Sequence, residues 1–209
     1  MIDAFIQDKK VEVPEIDFTR WELLENGYKP FACCRATHAS IQAAHSLKEK
    51  IAGRPVKKIT VRVHATAPFT AGKKAPKTPL ECKFSVPFCI AMGLNGYRGV
   101  ASDFNYDTLA DPKVAQIVPT VEMQPVADQP QSESYLDVWL EDGEHLHAET
   151  KFFLGHPKNP MSVDDMHAKF ASLVDPIFGK SRSDELFDTL MSFDRPGSLK
   201  RVVELTAEV

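Results

Sequence analysis

The chain has 209 residues, 26% of them charged and 43% hydrophobic, with a formal net charge of −4. That is enough to bury a sizeable core as one large domain or two small ones, and it leaves out the basic face that nonspecific nucleic-acid binding needs. No apolar run approaches the ~20 residues of a membrane span, and no basic-then-apolar leader opens the chain.

Four cysteines, two of them adjacent, make no disulfide framework in a chain this long and suit reduced thiols. The expected compartment is the cytoplasm, with neither nucleic acid nor membrane as partner. Residues 1–28 read as an N-terminal arm and 29–209 as the domain proper. In the arm, Ile2, Phe5 and Ile6 suit a short helical turn, residues 11–18 around Pro14 an extended segment, and Trp21, Leu23 and Leu24 a short strand or turn ending at Asn26-Gly27.

The densest chemistry follows, in Lys29-Pro-Phe-Ala-Cys-Cys-Arg-Ala-Thr-His38. This stretch enters a helix expected to start near residues 34–36 and to run to about Ala52. Two cations (Lys29, Arg35), two thiols (Cys33, Cys34) and an imidazole (His38) crowd its first turn, where unpaired N–H groups and a partial positive charge already favour an anion. Ile41, Ala44, Leu47 and Ile51 recur at helical spacing and define the buried stripe. His38 and His45 then fall seven apart on its edge, half buried, where an imidazole can move a proton near neutral pH. Boundary histidines with satisfied hydrogen bonds are the alternative reading.

Gly53-Arg-Pro stops the helix. Residues 57–65 alternate as a half-buried strand, with Ile59, Val61 and Val63 on one face. Residues 66–77 read as a basic, solvated loop. Thr78 as N-cap, Pro79 at the first helical position and Glu81 three residues after the cap begin a second helix. It is expected to continue past Pro87 with a kink, and to bury Leu80, Phe84, Phe88 and Ala91.

Residues 95–105 read as loop, Asp111-Pro112 as the start of a short helix to Val118, and residues 120–126 as a strand. A strong strand at 135–140 turns at Asp142-Gly143 into another at 145–153, whose His145, His147 and Glu149 share a wet face and no zinc-ligand spacing. Ser162 with Asp165 starts a helix with Met166, Phe170 and Leu173 inward. Ser183 caps the next, with Leu186, Leu190 and Phe193 apolar, and a last helix spans about 198–207. Helices and hairpin in this order predict an α+β fold with an antiparallel or mixed sheet.

Three ordered stretches carry a resemblance: Lys29-Pro-Phe-Ala-Cys-Cys-Arg-x-x-His38 with Ile41-Gln-Ala; Thr78-Pro79-x-x-Cys82-Lys83-Phe84-Ser85-Val-Pro-Phe88-x-x-Ala91; and Gly155-x-Pro157-x-x-Pro160-Met-Ser162. Together they resemble the MmgE/PrpD family, that of 2-methylcitrate dehydratase and cis-aconitate decarboxylase, over roughly residues 20–175. The resemblance implies the smaller α+β C-terminal domain alone, where family members also have a large all-helical N-terminal domain and an active site between the two.

It also implies His38 as the catalytic histidine, Lys29, Arg35 and Lys83 as basic groups for a small polycarboxylate substrate, and a partner that is an all-helical domain or subunit, or a second copy. Phe88 stands where members often carry a tyrosine. Arginine forks, lysine charges and a histidine proton suit dehydration or decarboxylation of a citrate-like acid. No iron–sulfur spacing or phosphate loop calls for a cofactor, and the expected site holds none and no metal. Two other classes stay open: a noncatalytic binding or oligomerisation module derived from the family, and a thiol or metal enzyme built on Cys33, Cys34 and His38.

Overall fold

A four-stranded mixed sheet, in the order β2-β1-β3-β4, forms the frame. The computed structural model describes residues 15, 18–19 and 21–207; the expected turn at Ile2, Phe5 and Ile6 and most of segment 11–18 lie outside them. Strand β1 (Val56–His64) pairs in parallel with β2 (Val121–Val126) and antiparallel with β3 (Ser134–Leu140), which pairs antiparallel with β4 (His145–Thr150). A parallel pair needs a long crossover, and residues 65–120 supply it as a run of short helices. The β3–β4 connection is the expected hairpin, with Gly143 at the positive φ (92°) that its turn requires.

The alternation read in the sequence decides which sheet face is dry. Leu136, Val138 and Leu140 on β3, Leu146 and Ala148 on β4, and Ile59, Val61 and Val63 on β1 are buried. Against them lies helix α1 (His38–Ile51), preceded by a 3-10 turn over Arg35–Thr37. Its stripe of Ile41, Ala44, Leu47 and Ile51 is buried as the spacing predicts. Ser40 of α1 and Ser134 of β3 share a buried hydrogen bond of 3.0 Å. The fold is α+β, with nine α-helices among the described residues.

The crossover departs from expectation. Residues 66–77 contain a short helix, α2 (Ala67–Ala71), ahead of an exposed lysine stretch in which Lys73 pairs with Glu81 at 3.2 Å. The predicted kinked helix is two helices, α3 (Pro79–Cys82) and α4 (Val86–Leu94). Ser85 breaks the run: its hydroxyl accepts the Phe88 N–H at 3.1 Å and donates to the Lys73 carbonyl, so a fresh cap forms. Pro87 then sits in the first turn, where its missing N–H is no loss. The break also reorients the chain, so that Leu80 and Phe84 are exposed, against expectation, while every residue of α4 is buried. Gly93 lets α4 approach α1, since a Cβ there would lie 3.0 Å from that of Ala44.

Two further short helices follow, α5 (Tyr106–Ala110), capped by Asn105, and α6 (Pro112–Ala115), capped by Asp111. The Trp21 region forms a 3-10 turn, Glu22–Glu25, rather than a strand. At the other end α7 (Val163–Phe178), α8 (Lys180–Met191) and α9 (Ser198–Thr206) pack on one another. Ser162 and Asp165 form the expected capping box of α7. Met166 and Phe170 are only half-buried and Leu173 is exposed, so α7 has no fully buried residue. Ser183 is not a cap but lies buried inside α8, which starts one turn earlier, after Gly179.

The stretch 28–34, bent at residues 30–33, is stitched to three distant segments. Tyr28 N–H donates to the Gly155 carbonyl (2.7 Å), Ala32 N–H to that of Gly99 (2.8 Å) and Cys34 N–H to that of Lys83 (2.9 Å). Gly155 has φ of 87°, and a Cβ on it would lie 2.2 Å from the Tyr28 carbonyl oxygen. Gly155→Ala is therefore expected to destabilise the fold by more than ~2 kcal/mol, from strained φ plus a backbone clash, read as the urea midpoint; a loss under ~0.5 kcal/mol would mean that this junction is not part of the cooperative fold.

Candidate functional site

His38 opens α1, and the structure corrects its expected half-buried placement: it is fully enclosed, at 0% exposure. Two phenyl rings flank it edge-on, Phe31 from the stitched stretch (centroids 5.3 Å, 82°) and Phe153 from beyond β4 (5.2 Å, 81°). Neither ring nitrogen has a partner at hydrogen-bond distance, and the Cys33 thiol is the polar group that interacts with the ring. A buried imidazole normally bonds at one or both nitrogens, and leaving a donor unpaired costs about 1–3 kcal/mol. His45 is half-buried as expected, and its Nε2–H donates to the Tyr97 carbonyl at 2.8 Å. Burial pulls its pKa below the ordinary histidine value.

The thiols divide between core and surface. Cys33 is buried and lies 2.9 Å from the Thr37 hydroxyl, which donates to the Cys34 carbonyl. The neighbouring Cys89 thiol, with lesser contributions from His38 and Thr37, makes Cys33 the more acidic of the pair, against the opposing effect of burial, while burial pushes Cys89 up. Cys34 is half-buried, and all four cysteines are free. Among the described residues no group of three or more His, Cys, Asp or Glu side chains converges as a metal site. On the open sheet face, His145 and His147 both bond Asp137 Oδ1, at 3.0 and 2.8 Å.

Of the predicted basic residues, Arg35 is brought to His38. Its guanidinium sits 5.5 Å from the centroid of Phe153, the ring that also packs on His38. Its charge is felt at His156, whose pKa is lowered first by burial and then by Arg35. Lys83 lies beyond the Cys34 N–H contact, with its ammonium 5.6 Å from the Phe104 ring, which packs in turn on buried Phe88. Lys29 is exposed beside α7, where its carbonyl accepts from Lys169. Among the described residues no hydrogen bond, ion pair or ring contact joins Lys29 or Lys83 to His38.

The rings that enclose the histidine escaped the sequence reading. Phe31 stands inside the motif but carries no polar chemistry, and Phe153 lies 115 positions from His38, where no local spacing can relate them. The one available signal was their closeness to motif residues Lys29 and Gly155. With neither nitrogen paired, His38→Leu is expected to hold or raise stability, by about 1 kcal/mol, because an apolar group of similar size removes an unmet desolvation cost. Urea denaturation checks this, and a loss above ~2 kcal/mol would show that the imidazole is bonded in solution.

No curated protein matches this chain. The model of the MmgE/PrpD C-terminal domain matches residues 31–192, which takes in Phe31, Arg35, His38, Lys83, Phe153 and Gly155 and runs from the stitched stretch to the end of α8. The match spans all but Lys29 and Pro30 of the three motif stretches, and the Cys34 N–H bond to the Lys83 carbonyl ties the first of them to the second. By that match, over most of its length, the chain belongs to the MmgE/PrpD family and carries its C-terminal domain.

Proposed function

We propose that this chain is the C-terminal domain or subunit of a MmgE/PrpD-type lyase acting on a small polycarboxylate, in the manner of 2-methylcitrate dehydratase or cis-aconitate decarboxylase. The remaining catalytic groups come from an all-helical N-terminal domain or subunit. One observation carries the reading: a fully enclosed histidine with both nitrogens unpartnered, at the head of a helix and one ring away from an arginine. A fold keeps such a cost mainly where the group has work to do.

In this reading His38 moves the proton at the carbon next to a carboxylate, and Arg35, Lys29 and Lys83 hold carboxylates. In a dehydration the proton leaves carbon for the base while the hydroxyl departs with a proton from an acid. In a decarboxylation carbon dioxide departs and the proton is delivered to the carbon it leaves. Phe31 and Phe153 close His38 off in the chain by itself, so docking of the helical partner must part them. Phe88 offers no hydroxyl, which leaves the second acid to the partner or to a different residue.

The isolated chain is expected to show no measurable turnover of 2-methylcitrate or cis-aconitate, because orientation and acid–base groups act as a unit. Co-expression with the helical partner is expected to give turnover that His38→Ala lowers by ~10²–10⁴-fold. Turnover by the 209-residue chain alone, abolished by His38→Ala, would overturn the half-site reading and show a self-sufficient enzyme.

A second reading, a noncatalytic binding or oligomerisation module, is favoured by exposed apolar side chains around the lysine stretch: Phe69 (91% exposed), Leu80, Phe84 and Tyr106. Both readings make this face an interface with a helical partner or a second copy. Light scattering over a tenfold concentration range is expected to show mass rising with concentration. A strictly monomeric mass, unchanged by Phe69→Ser, would remove the interface.

A further inference from the structure

Strand β2 is the outermost strand on its side of the sheet, and no strand of the described residues pairs with its far edge. The Ala65 N–H donates to the Val126 carbonyl at 3.1 Å. Backbone polar groups alternate between the two edges of a strand, so residues 122, 124 and 126 serve β1 while 121, 123 and 125 face outward. The Val121 N–H turns back to the Val118 carbonyl. Pro125 has no N–H to offer, and an outer edge is where a strand tolerates proline. What is left on the edge is the Met123 N–H and the carbonyls of residues 121, 123 and 125, a short row of unpaired groups.

That edge borders a cavity of about 390 Å³, lined by Val121, Met123 and Pro125 and walled by Pro68 of α2, Pro87 of α4 and Pro119. A second cavity, of about 240 Å³, adjoins it and shares Lys74, Val118 and Pro119. Together they make a trough whose proline walls are rigid and carry no N–H to compete for the strand's carbonyls. Phe69, Leu80, Phe84 and Tyr106 line neither cavity, so the trough is distinct from the apolar face described above.

The charges along the trough are unequal. Glu122, the one acid of β2, is held by Lys58 at 3.0 Å. Lys74 lines both cavities, and no carboxylate of the described residues pairs with it. A helix could satisfy none of the outward backbone groups, because its own N–H and C=O groups bond internally. An extended chain supplies both kinds of partner.

We infer that this trough docks an extended segment of a partner polypeptide, added beside β2 as a fifth strand, with apolar side chains against the prolines and an acidic side chain at Lys74. A second copy of the chain is the poorer occupant, since the only acid on its own β2 is already taken by Lys58. The inference stands apart from the lyase reading and needs neither substrate nor turnover.

Titration of the ¹⁵N-labelled full chain with the peptide acetyl-Asp-Val-Thr-Val-Thr-Val-Asp-amide tests it; an aspartate at each end allows either strand direction. Saturable amide shifts are expected at residue 74 and at residues 121–124. N-methylation of the central peptide bonds is expected to weaken binding at least about tenfold, the worth of one or two lost hydrogen bonds. Met123→Pro removes the outward N–H without touching a bond to β1 and is expected to weaken binding about fivefold or more. Lys74→Glu is expected to weaken it about fivefold, and the surface control Lys50→Glu not at all. An unchanged amide spectrum away from the trough confirms that each variant folds, and the N-methylated peptide tests the wild-type chain directly. Shifts that do not saturate by several millimolar peptide, binding that tolerates N-methylation, or equal weakening by Lys50→Glu would each overturn the docking site. A dimer of the free chain that Met123→Pro dissolves would give the edge to a second copy and overturn the partner segment.

Discussion

Three backbone hydrogen bonds from one short, bent stretch hold the rest of this structure in place. Residues 28–34 give their N–H groups to Gly155, Gly99 and Lys83, carbonyls that lie far apart in sequence. The stretch bends at residues 30–33, which turns its N–H groups in different directions, so one short segment can lace together the loop after β4, the loop after α4 and the turn before it. With those positions set, Phe31 and Phe153 must meet across the head of α1, and His38 has no way out. Gly155 belongs to the same constraint, because only a residue without Cβ can take a positive φ with the Tyr28 carbonyl so close.

The enclosed imidazole is a local expense in an otherwise consistent fold. The stripe of α1 is dry, β3 alternates cleanly, and the buried serines Ser40 and Ser134 satisfy each other. Against a net stability of about 5–15 kcal/mol, an unpaired buried donor is a sizeable fraction. Local rules tend to break at functional sites, where the requirement of the chemistry competes with that of packing. Arg35 makes the point from the other side, as a cation that no carboxylate of the described residues neutralises, close to the ring that covers the histidine.

The distribution of apolar side chains points outward as well. Phe69 on α2, Leu80 on α3 and Phe84 just before Ser85 are all exposed at the surface. Helix α7 presents an apolar side with no fully buried residue, and Leu173 and Ile177 are exposed on it. The family match is to a C-terminal domain, one part of a multidomain family. No helix of the described residues is long and apolar enough to cross a membrane.

Much of this was legible in the residues themselves. Period-3.6 spacing marked the buried stripe of α1, period-2 spacing marked β1, an apolar run and the Asp142-Gly143 turn marked the β3–β4 hairpin, and the caps at Thr78, Asp111 and Ser162 sat where side-chain oxygens can reach free N–H groups; these are local effects, decided within a turn or a strand pair. The motif order identified the family for the same reason, since each stretch is a short local pattern. What the residues did not show is long-range. Whether Ser85 caps a new helix or Pro87 kinks an old one depends on the Lys73 carbonyl arriving from another segment. Whether His38 is an edge or an enclosed position depends on Phe153, 115 residues away. The trough beside β2 likewise draws its walls from α2, α4 and the turn before β2, because burial and the shape of a cavity are properties of packed elements and not of any one of them.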